Sequence, residues 1–195
     1  MRLALEMLGL GPCHHMFVLI QDPSQQALWD TYPKGATPDW DQAFSGFQSA
    51  VDWPSTYYWQ DIARHYPDAK VLLTLRSAES WWASYSNTVL NHITSLKGSG
   101  SWVDNIITQT IMQGHPDDRD TAIAAFNANN AQVRALVPRE RLVVHELGDG
   151  WGPLCDAFGL PTPAEPYPVT NSTADFQAFH AARNATAKAA TQKTT

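Results

Sequence analysis

Residues 71–75, VLLTL, constrain the fold of this chain more than any other segment, because they form an almost unbroken apolar run. The turn signal YPD at 66–68 precedes the run, and the polar pair RS at 76–77 follows it. A short run of this kind is typical of a strand that is buried on both faces of a parallel sheet. Residues 141–147, RLVVHEL, show the same pattern, and residues 49–51 predict a third, weaker strand.

An apolar stripe at helical spacing follows the strand at 71–75. Ser77 can cap this helix, and Trp82, Tyr85, Val89 and Ile93 follow one another at intervals of 3, 4 and 4 residues, which predicts one helix with a single buried face. Further helical patterns occupy residues 1–8, 57–65, 102–113, 117–137 with a cap at Asp117, 151–158 and 174–187. Strands and helices therefore alternate, which predicts the α/β class.

The length and charge of the chain limit its organisation and its partners. With 195 residues, the chain is close to the rough prior of ~150 residues per domain, so we expect one domain over 1–195 that ends in a flexible tail at 181–195. Hydrophobic residues make up 44% and charged residues 16%, which excludes the disordered and coiled-coil classes. The net charge of −6 argues against nucleic acid or an anionic membrane as a partner.

Cysteine usage and hydropathy predict a cytoplasmic protein without a metal. Cys13 and Cys155 are the only cysteines, so the sequence contains no disulfide framework. No segment approaches the ~20 apolar residues of a membrane span, and the N-terminal apolar stretch is too short for a secretory signal. Cys13, His14 and His15 could each ligate a metal, but adjacent residues rarely converge on one ion. We therefore predict no metal site.

Ligands of open α/β sheets bind beyond the carboxyl ends of the strands, so the residues that follow each predicted strand are candidates for a site. Asp52, Arg76 and the glycine-rich run at 148–152 take these positions. Arg76 can donate two hydrogen bonds to the oxygens of a phosphate, and Ser84, eight residues later, could bind the same phosphate. The alternative is an arginine that ends a strand and a serine on a solvated helix face.

Five sequence motifs carry a family resemblance. They are GLGPCHHM at 9–16, VDWP at 51–54, YPDAKVLLTLR at 66–76, WWAS at 81–84 and DGWGPLC at 149–155. In this order they resemble a family of bacterial and eukaryotic sulfotransferase-like P-loop proteins. The resemblance implies a three-layer α/β sandwich with a mostly parallel sheet, as in P-loop NTPases.

The resemblance also implies a donor and roles for individual residues. Sulfotransferases use 3′-phosphoadenosine 5′-phosphosulfate (PAPS), and the positions that match Arg76 and Ser84 bind its 3′-phosphate. Asp52 lies at the place of the catalytic histidine of cytosolic sulfotransferases, and a carboxylate with a raised pKa can remove the same proton. Asp52 is therefore the candidate base, with His15 as a weaker candidate; the alternative for Asp52 is a cap on the turn into the next helix.

One departure from the family concerns the phosphate-binding loop. In the family, a strand and a loop rich in glycine and threonine lead into the first helix, and this sequence begins at what resembles that helix. We therefore expect the first strand and the P-loop to be missing from this chain. The glycine run at 148–152 has no Lys and no following Ser or Thr, so it is predicted to be a turn into the helix at 151–158.

These observations lead to three functional hypotheses. The first is a sulfotransferase that moves a sulfuryl group from PAPS to a hydroxyl or amine of a small molecule, without a metal. The second is a catalytically silent family member or fragment that binds a nucleotide or a partner. The third, a small-molecule kinase, requires a Walker-type lysine that the sequence lacks, and it ranks last. A homodimer is compatible with each.

Overall fold

The structure, a computed structural model, describes residues 1–30 and 38–169. The helix predicted at 174–187 and the tail predicted at 181–195 lie outside these residues.

Two pairs of parallel strands form the sheet structure of the described residues. The strand β1 (Cys13–His14) pairs with β2 (Ser49–Ala50), and β3 (Val71–Leu75) pairs with β4 (Leu142–Glu146). The strands predicted at 49–51, 71–75 and 141–147 are therefore confirmed. The sequence does not predict β1, because two residues are too few to show a strand pattern.

Helices surround and connect these strands, which confirms the α/β class. They are α1 (Arg2–Met7), α2 (Met16–Gln21), α3 (Pro23–Asp30), α4 (Trp40–Ala43), α5 (Trp59–His65), α6 (Ala78–Asn87), α7 (Leu90–Ser95), a π-helix (Val103–Ile111), α8 (Arg119–Leu136) and α9 (Gly152–Phe158). Within the described ranges, no helix has the length and apolar character needed to cross a membrane.

The prediction of one helix through Ile93 is wrong, because the helix breaks after Asn87. Two side chains compete there for carbonyls of the preceding turn. The Asn87 amide donates to the Ala83 carbonyl, and the Thr88 hydroxyl donates to the Ser84 carbonyl. Such local bonds offer the backbone an alternative to the regular helix. The apolar stripe continues on α7, which begins at Leu90.

Two further helix predictions need correction. The helix predicted at 102–113 is a π-helix at Val103–Ile111, whose wider spacing the apolar pattern does not distinguish from an α-helix. The helix predicted at 117–137 is α8, and its cap is Asp118 rather than Asp117, because the Asp118 carboxylate accepts the N–H of Thr121 at 3.0 Å. The end of α8 before Pro138 agrees with the sequence.

Aromatic side chains form the core beside β1 and β2. Trp29 and Trp40 are 2% and 3% exposed, and they pack with Phe44 and Tyr58 at ring centroid distances between 5.3 and 6.4 Å. These two tryptophans supply buried area, whereas Trp53 and Trp59 are half-buried and line a cleft. Most of the energy of such a cluster comes from the apolar area that it removes from water.

The strand β3 has one paired edge and one open edge. The Val71 N–H donates to Arg141, and the Leu75 carbonyl accepts the N–H of Leu147, so alternate residues of β3 face β4. Leu72 and Thr74 present their backbone groups to the other side, where no described strand pairs with them. The expectation that β3 is buried on both faces is therefore only partly met: Leu73 is buried but Thr74 is exposed.

Candidate active site

A large cleft opens between β2 and β3. Its volume is about 2930 Å³, and its walls include residues 49–52 on one side and 71–76 on the other. All four residues singled out in the sequence line this cleft: His15, Asp52, Arg76 and Ser84. The candidate base and the candidate phosphate ligands therefore border the same large cleft.

Asp52 lies two residues after β2 and adopts a left-handed backbone conformation, with φ at 65°. Asp and Asn are the residues other than glycine that tolerate this region best, so the residue type suits the position. The α5 cap is Tyr58, and the Asp52 side chain instead lies beside α2, with Oδ2 3.3 Å from the Nε2 atom of His15. The turn that leads into α5 nevertheless begins at Asp52, whose carbonyl accepts the N–H of Thr56 at 2.9 Å, so the interpretation of Asp52 as a residue of this turn stays open beside that of a base.

Burial raises the pKa of Asp52 to about 6, because the surrounding protein removes water from its charged form. The backbone N–H groups of Trp53 and Met16 favour the carboxylate and offset part of this effect. About a third of the side-chain surface, 33%, stays accessible from the cleft. A carboxylate with a pKa just below neutrality is largely ionised at pH 7 and accepts a proton more readily than an ordinary aspartate.

His15 caps α2 through one ring nitrogen. Its Nδ1 atom accepts the N–H of Phe17 at 3.1 Å, and the Phe17 ring stacks on the imidazole with centroids 5.4 Å apart. Because Nδ1 accepts, the neutral ring carries its hydrogen on Nε2, the atom that lies near Asp52. Burial lowers the pKa of His15 to about 4, with smaller contributions from Arg2, the chain amino group and His14, so the ring is neutral at pH 7.

Arg76 follows β3 directly and offers an uncommitted cation to the cleft. Its guanidinium has neither an ion pair nor a hydrogen bond with any residue of the described parts of the chain. Partial burial lowers its pKa from the ordinary value, but a guanidinium stays charged at neutral pH. A lone cation at the wall of a cleft suits an anionic ligand.

Ser84 lies two turns into α6 and is half-buried at the cleft wall. The helix begins as predicted, because the Ser77 hydroxyl accepts the N–H of Ser80 at 3.2 Å. At a rise of about 1.5 Å per residue, Ser84 lies roughly 10 Å along the helix from this cap. Arg76 comes one residue before this cap, so the two candidate phosphate ligands lie at the start of α6 and two turns into it, and both line the cleft.

The glycine run at 148–152 forms a turn, as predicted. Gly148 and Gly150 have φ values of 107° and 66°, and the Asp149 carboxylate accepts the N–H of Glu146 at 2.7 Å. The His145 ring also hydrogen-bonds the Gly150 carbonyl, at 2.9 Å. These contacts fix the path from β4 into α9.

Cys13 and His14 form β1, and both are buried. His14 is fully buried, and its ring packs edge-on against Phe44 and Phe47 at 5.2 and 5.0 Å. No three histidine, cysteine or acidic side chains of the described ranges come together as a metal site.

Sequence reasoning missed Ser55, whose hydroxyl lines the cleft. Its side chain is 7% exposed, and the hydroxyl has no hydrogen-bond partner among the described residues. The Thr56 N–H donates to the Asp52 carbonyl at 2.9 Å, which places Ser55 in the helical turn that starts at Asp52. The three-residue spacing of Asp52 and Ser55 is the one signal in the sequence that could have indicated it.

Comparison with known proteins identifies the family. The chain matches the sulfotransferase domain family over residues 1–176, and it therefore belongs to that family. The chain is similar to "Ava biosynthesis cluster protein M" of Aspergillus versicolor, with 30% identity over 146 residues. The match covers 67% of this chain and 56% of the relative, so the chain spans little more than half of that protein's length.

Proposed function

We propose that this protein is a sulfotransferase that moves a sulfuryl group from PAPS to a hydroxyl or amine of a small molecule. The observation that carries the proposal is the common cleft of Asp52, a carboxylate with a raised pKa, and Arg76, a cation without a partner among the described residues. Sulfuryl transfer needs both groups. The donor is a polyanion, and the acceptor must lose a proton.

At the donor end, Arg76 and Ser84 bind the 3′-phosphate. The planar guanidinium donates two parallel hydrogen bonds to phosphate oxygens, and the Ser84 hydroxyl donates a third. Arg76 is available for this contact, because no described group forms an ion pair or a hydrogen bond with its guanidinium. These contacts hold the donor without taking part in the bond changes.

At the acceptor end, Asp52 removes the proton. As the acceptor oxygen or nitrogen bonds to sulfur, its hydrogen passes to the Asp52 carboxylate, and the bond from sulfur to the bridging phosphate oxygen breaks. PAPS thereby supplies the sulfuryl group and leaves as adenosine 3′,5′-bisphosphate. Asp52 and the phosphate contacts must be held in one geometry, so most of the catalysis is positioning and electrostatics.

The proposed fold is a three-layer, P-loop NTPase-like sandwich in which a further parallel strand lies between β2 and β3. The open edge of β3 at Leu72 and Thr74 faces the same cleft as β2, which supports this arrangement. In this proposal the strand belongs to a segment ahead of α1 and ends in the phosphate-binding loop of the family. Backbone N–H groups of such a loop would hold the 5′-phosphosulfate.

A second candidate function is nucleotide binding without catalysis. The observation that favours it concerns the glycine run at 148–152. This run forms a turn between β4 and α9, so it does not provide a phosphate-binding loop. In this case Arg76 and Ser84 would still hold a 3′-phosphate.

Calorimetric titration with two nucleotides tests the donor site. Adenosine 3′,5′-bisphosphate should bind at least tenfold more tightly than adenosine 5′-monophosphate, which lacks the 3′-phosphate. Equal affinities would contradict the assignment. Transfer of labelled sulfate from PAPS to a panel of phenols, alcohols and amines then separates the two candidates, because the silent protein discriminates between the nucleotides but transfers nothing.

A further inference from the structure

We propose that His15 is a positioning residue for Asp52: its Nε2–H donates to Asp52 Oδ2 and turns the carboxylate toward the acceptor. The inference rests on the proposed function, in which Asp52 is the base. It assigns to His15 a different role from the one that its sequence position suggested, because His15 itself does not take the proton.

The contacts of the imidazole exclude His15 as a base. Its Nδ1 lone pair is used by the Phe17 N–H at 3.1 Å, and its Nε2 atom then carries the hydrogen. Neither nitrogen is left with a free lone pair for a substrate proton. The ring is also held in place, because it caps α2 and stacks on Phe17.

The Nε2 and Oδ2 atoms are 3.3 Å apart, and they do not form a hydrogen bond in this structure. Hydrogen bonds at catalytic groups are often long in the absence of substrate and shorten when the site is filled. We expect the contact between His15 and Asp52 to tighten in the same way. Both side chains border the cleft that the substrate would fill, His15 at the start of α2 and Asp52 in the turn after β2.

The number of hydrogen bonds that the Asp52 carboxylate can accept also supports its orientation toward the acceptor substrate. A carboxylate offers about four lone-pair sites. The N–H groups of Met16 and Trp53 take two of them. In the proposed arrangement, the Nε2–H of His15 takes a third. One site then remains for the proton of the acceptor, so the three donors define the direction from which the acceptor approaches.

Burial is the main reason why the imidazole stays neutral. Arg2, the chain amino group and His14 add smaller effects, because each of them disfavours a positive charge on His15. The first proton that the pair takes up on acidification therefore goes to the Asp52 carboxylate. His15 remains a donor through the pH range in which Asp52 works.

Two substitutions separate donation from helix capping. His15→Phe keeps the ring volume and the stacking on Phe17 but has no donor and no cap. His15→Gln also loses the ring cap, but its amide nitrogen can reach the position of Nε2 and donate to Asp52. Both variants lose the Nδ1 cap alike, so a difference between them reports the contact with Asp52.

The measurement is the titration of the Asp52 carboxyl carbon by NMR in the full chain, with thermal unfolding as a check that each variant folds. We expect the midpoint of Asp52 to rise by about 0.5–1 pH unit in His15→Phe and to stay near that of the wild type in His15→Gln, since a donor stabilises the charged form. Long-range nitrogen spectra should show His15 with its hydrogen on Nε2. Equal midpoints in the two folded variants, or a hydrogen on Nδ1, would overturn the inference.

The same variants distinguish this inference from the proposed function. In the transfer assay, the acidic limb of the rate profile should move with the Asp52 midpoint. If the midpoint moves in the NMR titration but the limb does not, Asp52 is not the base and the proposed function fails at that step, while the hydrogen bond from His15 stands. A hydrogen on Nδ1 refutes the positioning role whatever the activity.

Discussion

Asp52 and Arg76 lie just beyond β2 and β3 and line one cleft, although the two strands pair with different partners. The carboxylate has a raised pKa, and the guanidinium has no partner among the described residues. Their common location joins a proton acceptor to an anion-binding group.

Arg76→Ala should abolish the preference for adenosine 3′,5′-bisphosphate over the 5′-monophosphate. A charge-assisted contact contributes about 1.5–3 kcal/mol, so the affinity for the bisphosphate should fall by roughly tenfold to a hundredfold. Calorimetry provides the measurement. Arg139→Ala is the matched control, because Arg139 is exposed and does not line the cleft. An unchanged preference in Arg76→Ala would remove Arg76 from the donor site.

Ser84→Ala should weaken the same binding by less, since a neutral hydroxyl contributes about 0.5–1.5 kcal/mol. The variant should be as stable as the wild type or slightly more stable, because alanine has the better helix propensity in α6. Isothermal titration and thermal unfolding measure the two effects. Ser80→Ala, in the same helix but away from the cleft, should leave nucleotide binding unchanged; equal effects of the two changes would contradict the role of Ser84.

The raised pKa of Asp52 predicts a pH-dependent stability change in Asp52→Asn. The folded state holds the Asp52 proton up to about pH 6, whereas the unfolded chain releases it near 3.8, so this residue makes the protein less stable as the pH rises through that window. The two buried histidines make the protein more stable as the pH rises, because burial lowers the pKa of His14 and His15 to about 4. Burial, the main cause of both lowered pKa values, is the same in the two proteins, so most of this effect cancels in the comparison.

Relative to the wild type, Asp52→Asn should therefore gain stability between pH 4 and pH 7. We expect a gain of about 1–2 kcal/mol, less than the full shift because a third of the side chain is accessible. Asparagine also tolerates the left-handed backbone at this position. Denaturant unfolding at several pH values measures the gain, with Asp156→Asn, an exposed position, as the control. A stability difference that is constant with pH would contradict a raised pKa at Asp52.

A chain extended ahead of Met1 by the strand and phosphate-binding loop of the family should be more stable and more active than the 195-residue chain. The added strand would pair with the open edges beside Leu72 and Thr74, and such edges favour aggregation when they stay unpaired. Solubility, the denaturant midpoint and sulfuryl transfer are compared for both lengths. A glycine-serine extension of equal length is the control, and equal values for all three proteins would show that no strand is needed there.

Local patterns in the sequence predict much of the fold. The apolar runs at 71–75 and 141–147 identify β3 and β4, and Ser77 marks the start of α6. The break after Asn87 escapes prediction, because periodicity does not register the hydroxyl and amide bonds that interrupt the helix. The π-helix escapes for a similar reason, since its apolar residues also fit an α-helical stripe.

The site is predictable one residue at a time but not as an arrangement. Asp52 and Arg76 follow strands, so the general rule for α/β sheets identifies them. The approach of His15 to Asp52 depends on the pairing of β1 with β2, and β1 is too short to be seen in the sequence. Ser55 becomes noticeable only when its burial and its unpartnered hydroxyl are known.

Sulfuryl transfer by Asp52→Asn, measured in the extended chain beside its affinity for adenosine 3′,5′-bisphosphate, tests the central claim most directly. A general base contributes mainly in the transition state, so turnover should fall by about 10²–10⁴-fold while the affinity stays within about twofold of the unsubstituted chain. Turnover equal to that of the unsubstituted chain, with the same affinity, would contradict the assignment of Asp52 as the base.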